Sequence, residues 1–261
     1  MCCIEHCYVQ PVSALQIFGI PGLPEIVEGT DLAALIASAA RDGGAELADG
    51  DIVVVTSKVV SKAEGRTIEL ADVDPSQFAI EWSTKWDKDP GVIEVVLREA
   101  KRVVRQSGPV LITETQHGFV CANSGVDQSS SGAPGRLVLL PTDPDGSARG
   151  IRAGLAAQGV DAAVIISDTF GRAWREGQTD IAIGIAGMQP IHSYIGQLDP
   201  HGHEFKVQAV CLADELAAAA ELVKGNISRT PVGVIRGLAW ERDDTATIAP
   251  VLREQSRDLF R

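Results

Sequence analysis

The chain has 261 residues, 45% of them hydrophobic and 22% charged, the makeup of an ordinary globular protein with one large core or two small ones. Its net charge of −12 argues against a general nucleic-acid binder and against an anionic-membrane binder. A phosphorylated small substrate stays open, because local lysines and a cation can reverse the field inside one cleft.

The five cysteines are odd in number and scattered, which argues against a disulfide framework. Cys2, Cys3 and Cys7 read as part of a frayed, reduced terminus rather than a metal-binding tail. No run of about 18 apolar residues suggests a membrane span. The first residues lack the basic and apolar regions of a signal peptide, so a cytoplasmic protein is expected.

In chain order, residues 1–12 read as a flexible segment. Thr30-Asp31 opens a helix whose face is Leu32, Leu35, Ile36 and Ala39. Asp49-Gly50-Asp51 turns into a strand at 52–56. A helix is predicted over 90–106, with Pro90 at its start and Ile93, Val96, Leu97 and Val104 as its apolar stripe. Strands are predicted at 109–114, 119–122 and 137–140, and a helix from Asp143 to about Gln158. The apolar strand 162–167 is expected to end at Asp168 and to turn through Gly171 towards Arg172. Residues 180–187 read as a small-residue strand, 212–224 as a helix stopped by Gly225, and 232–236 as a strand. The tail 246–261 is expected to be helical, with an interruption at Pro250. No repeat or long linker is apparent. The fold class is therefore α/β, or mixed α+β, as one unit with one or two lobes.

Several short segments carry the chemistry. Asp168 and Thr169 follow a buried apolar run, where a strand end can hold an oxygen ligand rigidly; the plainer reading is a turn-capping aspartate. Asp127 sits in Asn123-Ser124-Gly125-Val126-Asp127, small enough for close approach to a ligand, or simply an Asx turn. Lys58 and Lys62 are four apart, so a helix starting at Ser57 would put both on one face, for an anion or for solvent. Carboxylates beside lysines at strand ends suit divalent-metal and phosphate chemistry. No Gly-x-x-x-x-Gly-Lys-Ser/Thr and no Gly-x-Gly-x-x-Gly after a strand is present. His201 and His203 lack an obvious third zinc ligand. Cys121 lies in an apolar strand, and no serine nucleophile motif appears. Asp214 and Glu215 open a helix, where acids complement the dipole.

Read together, these segments resemble the coenzyme F420 gamma-glutamyl ligase family. The resemblance rests on Gly22-Leu23-Pro24-Glu25-Ile26, Ser57-Lys58-Val59-Val60-Ser61-Lys62, His117 through Asp127, Leu140 through Ala148, Ile165 through Arg172, Ala182 through Gly187, and Ala213 through Ala217. It covers most of residues 15–240. It implies an unusual α/β fold, a homodimer, and a ligase domain at 13–245. The implied reaction transfers the γ-phosphoryl of GTP to the carboxylate of coenzyme F420-0 or its dehydro form. L-Glutamate then attacks the acyl phosphate, and a second, γ-linked glutamate can follow. The implied cofactors are divalent metal, manganese or magnesium as two ions, and potassium.

Position by position, the resemblance places Asp127, Asp168 and Thr169 on the family's metal ligands, with Asn226 near the second ion. It places Leu23, Pro24, Glu25, Ile26, Ser57, Lys58, Lys62, Ser130 and Asn226 on guanine-nucleotide contacts. Asp127, Asp168 and Lys62 are the implied catalytic residues. Two positions depart from the family. Ser130 stands where asparagine is frequent, and Asn226 where some members have a glutamate. An asparagine oxygen can still ligate a metal but brings no charge. Some bacterial relatives carry a C-terminal flavin-binding reductase domain, which this chain is expected to lack. Two competing readings are a metal-dependent phosphohydrolase using the same acids, and a non-catalytic deazaflavin- or nucleotide-binding protein.

Overall fold

A computed structural model describes residues 14–129, 131–225 and 227–259. The strands are β1 (Gln16–Gly19), β2 (Ile52–Thr56), β3 (Thr67–Glu69), β4 (Ala100–Ser107), β5 (Val110–Thr115), β6 (Val120–Ala122), β7 (Arg136–Val138), β8 (Ala163–Arg172), β9 (Arg175–Met188), β10 (Ile191–Ser193), β11 (Ala209–Cys211), β12 (Val232–Arg236) and β13 (Arg242–Asp243). The helices are α1 (Leu32–Asp42), α2 (Ser57–Ala63), α3 (Gln77–Trp86), α4 (Pro90–Glu99), α5 (Pro144–Ala156) and α6 (Leu212–Lys224).

β2 is Ile-Val-Val-Val-Thr, and its first four residues are buried. Such a run without alternation suits a strand covered on both faces. It lies at the centre of a six-stranded mixed sheet, ordered β1-β12-β2-β8-β9-β13. The β2–β8 pair is parallel; the other neighbouring pairs are antiparallel. α1, α5 and α6 pack their small apolar faces into one core with this sheet. Asp31 and Asp143 cap α1 and α5 by accepting from Ala34 N and Gly146 N, at 3.0 and 2.9 Å. The architecture is thus a single α/β domain with a mixed sheet.

A smaller layer holds the three-stranded sheet β4-β5-β6 against α3 and α4, around Trp82, Ile93, Val96 and Leu111. Here the helix predicted over 90–106 is corrected: α4 stops at Glu99, and residues from Ala100 form a strand. Val103 and Val104 favour extended backbone, and Glu114 on β5 draws Lys101 and Arg102 across the ladder at 3.2 and 2.7 Å. That partner decides the local period, and it lies beyond the reach of a helical pattern.

Two further expectations change. β8 does not end at Asp168; it continues to Arg172 because β9 pairs with it from Val164 to Arg172. Gly171 lies within the ladder, and the reversal falls between Arg172 and Arg175. The tail is not a helix but two short 3-10 turns, Ala249–Val251 and Gln255–Arg257, since Pro250 has no N–H for an α-turn. Ala246 and Ile248 reach back into the main core. The segment 1–12 and its cysteines lie outside the described residues. No helix among the described residues is long and apolar enough to cross a membrane.

Candidate functional site

The parallel pairing of β2 with β8 ends at Thr56 and Ser167. Beyond it the chain leaves β2 directly into α2, so the β2-facing edge of β8 is open from Asp168 onward. Openings of this kind, at the carboxyl ends of parallel strands, are where α/β proteins place ligands. A cavity of about 440 Å³ lies there. Its walls bring together segments distant in sequence: Leu23–Ile26, Lys58 and Lys62 of α2, and Asp168 and Thr169 of β8.

Ser57 opens α2 but is buried, and its hydroxyl donates to Asp168 Oδ1 at 2.6 Å. Burial, together with the charges of Asp180 and Asp127, pushes the Asp168 carboxyl up to about 6, although Ser57 and Lys58 hold it down. Lys58 meets Asp127 Oδ2 at 2.5 Å and donates to Ser129 Oγ at 3.1 Å. Burial would raise Asp127, but Lys58 and the bonds from Ser129 outweigh it and hold its carboxyl below the usual range. Lys62 meets the exposed Glu25 at 2.5 Å.

The loop that presents Asp127 is wound tightly. Asn123, Ser124 and Gly125 all have positive φ. Gly125 also packs so closely on Leu140 that a Cβ would lie 2.8 Å from its Cγ, so a side chain there would be strained twice over. The Ser124 hydroxyl anchors the turn on Val96 O at 2.8 Å.

The predicted residues therefore fall into three groups. Leu23, Pro24, Glu25, Ile26, Lys58, Lys62, Asp168 and Thr169 line the cavity. Ser57 and Asp127 stand just behind it, each bonded to a lining residue. Ser130 and Asn226 lie outside the described residues.

Sequence reasoning missed Asp180, which also lines the cavity, and the lysine that holds it. Asp180 pairs with Thr169 across the β8–β9 ladder and accepts from Thr169 Oγ1 at 2.7 Å and from Ser167 Oγ at 2.8 Å. Lys224, the last residue of α6, turns inward and donates to Asp180 Oδ2 at 2.7 Å and to Ser167 Oγ at 2.6 Å. Its side chain is 1% exposed. Burial works against the charge on Asp180, but Lys224 prevails and keeps its carboxyl low. Glu221, also on the cavity wall, is pushed up by burial and by Asp180. The only signal in the sequence was a lysine on the apolar side of α6, easily read as a helix-end cation.

Other candidates stay apart. Burial and the Asp168 charge push the Cys121 thiol up to about 12, so it is no thiolate nucleophile. Asp214 accepts from Ala182 N at 2.9 Å, tying α6 to β9. Among the described residues, no group of three or more His, Cys, Asp or Glu converges to hold a metal unaided.

A charge-rich cleft at the strand ends of a mixed sheet defines an α/β enzyme centre. The sequence pattern of F420-0:Gamma-glutamyl ligase matches residues 22–237, and the chain belongs to that family. It is 43% identical to the coenzyme F420:L-glutamate ligase of Methanothermobacter thermautotrophicus, over 95% of this chain and 99% of that protein. The protein of the same name from Methanopyrus kandleri is 43% identical, over 95% and 98%. That of Halobacterium salinarum is 44% identical, over 85% and 87%. Membership makes this chain a ligase.

Proposed function

We propose that this chain joins L-glutamate to coenzyme F420-0 at the expense of GTP, through an acyl phosphate. The family and the names of its relatives support the substrates. The observation that carries the nucleotide is the convergence of Lys58, Lys62, Asp168 and Thr169 on one cavity with the Leu23–Ile26 loop.

The chemistry assigns each group a task. A carboxylate oxygen of the acceptor attacks the γ-phosphorus, the bond to the GDP oxygen breaks, and an acyl phosphate forms. The glutamate amine then attacks the acyl carbon, phosphate leaves, and an amide remains. Phosphoryl transfer is catalysed mainly by positioning and by neutralising charge. Lys62, four residues after Lys58 on α2, is placed to meet phosphate oxygens once Glu25 gives way. Lys58 orients Asp127 at the rim.

The residues fit a divalent cation. Asp168 is a carboxylate on the cavity wall with one described side-chain hydrogen bond, from Ser57, so it keeps lone pairs to offer. Thr169 adds a neutral oxygen beside it. With few protein ligands, phosphate oxygens and water would fill the remaining positions, the habit of magnesium and manganese. A bound cation would draw charge off the transferring phosphoryl group. A second ion would draw on Asp127, which Lys58 already neutralises in part.

The test is calorimetric titration of GTP in the presence of magnesium. Micromolar binding, lost in Lys58→Ala/Lys62→Ala, supports the reading. No binding, or binding indifferent to both lysines, overturns the nucleotide assignment.

A further inference from the structure

The ion pair between Lys224 and Asp180 lies at the cavity wall, where Asp180 is a lining residue, yet both side chains are buried, with exposures of 1% and 2%. A helix-end lysine ordinarily reaches solvent or the last carbonyls. This one instead threads under the sheet, with Thr56 Oγ1 at 3.5 Å and Glu221 at 3.7 Å as further neighbours. A buried ion pair is weak evidence for stability, since apolar packing of equal volume does as well or better. Its placement asks for another explanation.

The hydrogen-bond directions supply one. Asp180, ionised against Lys224, can only accept. Thr169 Oγ1 lies 2.7 Å from Asp180 Oδ1, so its hydrogen must point there. A hydroxyl has one hydrogen and two lone pairs. With the hydrogen turned into the protein, the Thr169 oxygen can meet the cleft only as an acceptor. Ser167 is locked in the same way, receiving from Lys224 at 2.6 Å and donating to Asp180 at 2.8 Å.

We propose that Lys224 is a positioning residue of the cleft: it fixes Asp180 as an acceptor, which turns the Thr169 hydrogen inward and presents its oxygen to a cation. The role rests on the cation-assisted reading above and extends it to a residue some distance from the ligand. Lys224 is not among the residues that line the cavity. It also occupies Asp180 Oδ2, so that this carboxylate does not compete with Asp168 for the ion. Supporting groups of this kind typically change metal affinity about 10- to 100-fold when removed.

The experiment measures manganese uptake by electron paramagnetic resonance, with and without GTP, on the full chain. Lys224→Met alone would strand the Asp180 charge and could unfold the protein, so the informative variant is Lys224→Met/Asp180→Asn, which removes both charges while keeping shape. This variant is expected to fold, by circular dichroism, and to hold manganese about 10-fold or more weakly than the parent. Thr169→Val in the parent should give a loss of similar size, and adding it to the double variant should cost little more. A folded double variant with parental manganese affinity would overturn the role of Lys224. A parent that takes up no manganese, with or without GTP, would overturn the cation reading and this one with it.

Discussion

The Ser57 hydroxyl donates to Asp168 Oδ1 at 2.6 Å, joining the first residue of α2 to β8 just past the end of the parallel β2–β8 pairing. The bond spans 111 positions of sequence and sets the direction of the carboxylate on the cavity wall. Ser57→Ala keeps the backbone but leaves Asp168 without it. A hydrogen bond to a charged group contributes about 1.5–3 kcal/mol. The expected outcome is a roughly 10-fold fall in kcat/KM, with the acidic limb of the pH–rate profile moved upward. Steady-state kinetics between pH 5 and 8 checks it; an unmoved limb contradicts the role given to this bond.

Asp168→Asn should separate stability from activity. With its carboxyl raised to about 6 in the fold against an ordinary 3.8, Asp168 binds its proton more tightly folded than unfolded. Its contribution to stability is therefore fully present below about pH 4 and is lost as the pH rises through 6. The asparagine variant does not titrate. In metal-free buffer it should be more stable than the parent at pH 7.5, by about 1 kcal/mol after allowance for solvent at the cavity wall, with the gap closing near pH 4. Turnover should fall roughly 100-fold or more. Thermal melts at the two pH values decide the first point, and a variant of near-parental activity removes Asp168 from the site.

Lys62→Ala bears on nucleotide alone. The ion pair with Glu25 is largely exposed on the glutamate side, so stability should change by less than about 0.5 kcal/mol. The dissociation constant of GTP should rise about 10-fold while the KM for glutamate stays within about 2-fold. An unchanged GTP constant removes Lys62 from the phosphate end.

A control belongs at the opposite end of β2 from the cleft. Asp51 is buried and accepts from Arg236 Nε and Nη2, both at 2.7 Å, and from Ala48 N at 2.8 Å. Asp51→Ala removes the buried partner of Arg236, whose Nη2 keeps only Glu46 O at 2.8 Å, and should cost about 2–3 kcal/mol, lowering the melting temperature by several degrees. GTP binding at the cleft should not change. A loss of binding would tie this pair to the site.

Much of the site was legible because its pieces are local. The apolar runs at 52–55 and 163–166, the aspartates that cap α1 and α5 and the lysines four apart on α2 each follow from a few neighbouring residues. What stayed hidden depends on partners far along the chain. Ala100–Ser107 reads as more helix until β5 supplies cross-strand contacts. Lys224 and Asp180, 44 positions apart, read separately as a helix end and a strand start. The β8–β9 ladder puts Asp180 beside Thr169, and only the packing of α6 against β9 explains an inward lysine. Local patterns mark the residues that line the cavity more readily than those that hold them in place.

Under the proposed function, this cleft forms an amide bond at the expense of GTP. Mass spectrometry of a reaction holding the protein, coenzyme F420-0, L-glutamate, GTP and manganese tests it most directly. The expected products are acceptor masses increased by glutamate units, with one GDP released per unit, and no increase when GDP replaces GTP. GTP hydrolysed with no glutamate added, or glutamate added equally well without GTP, would contradict it.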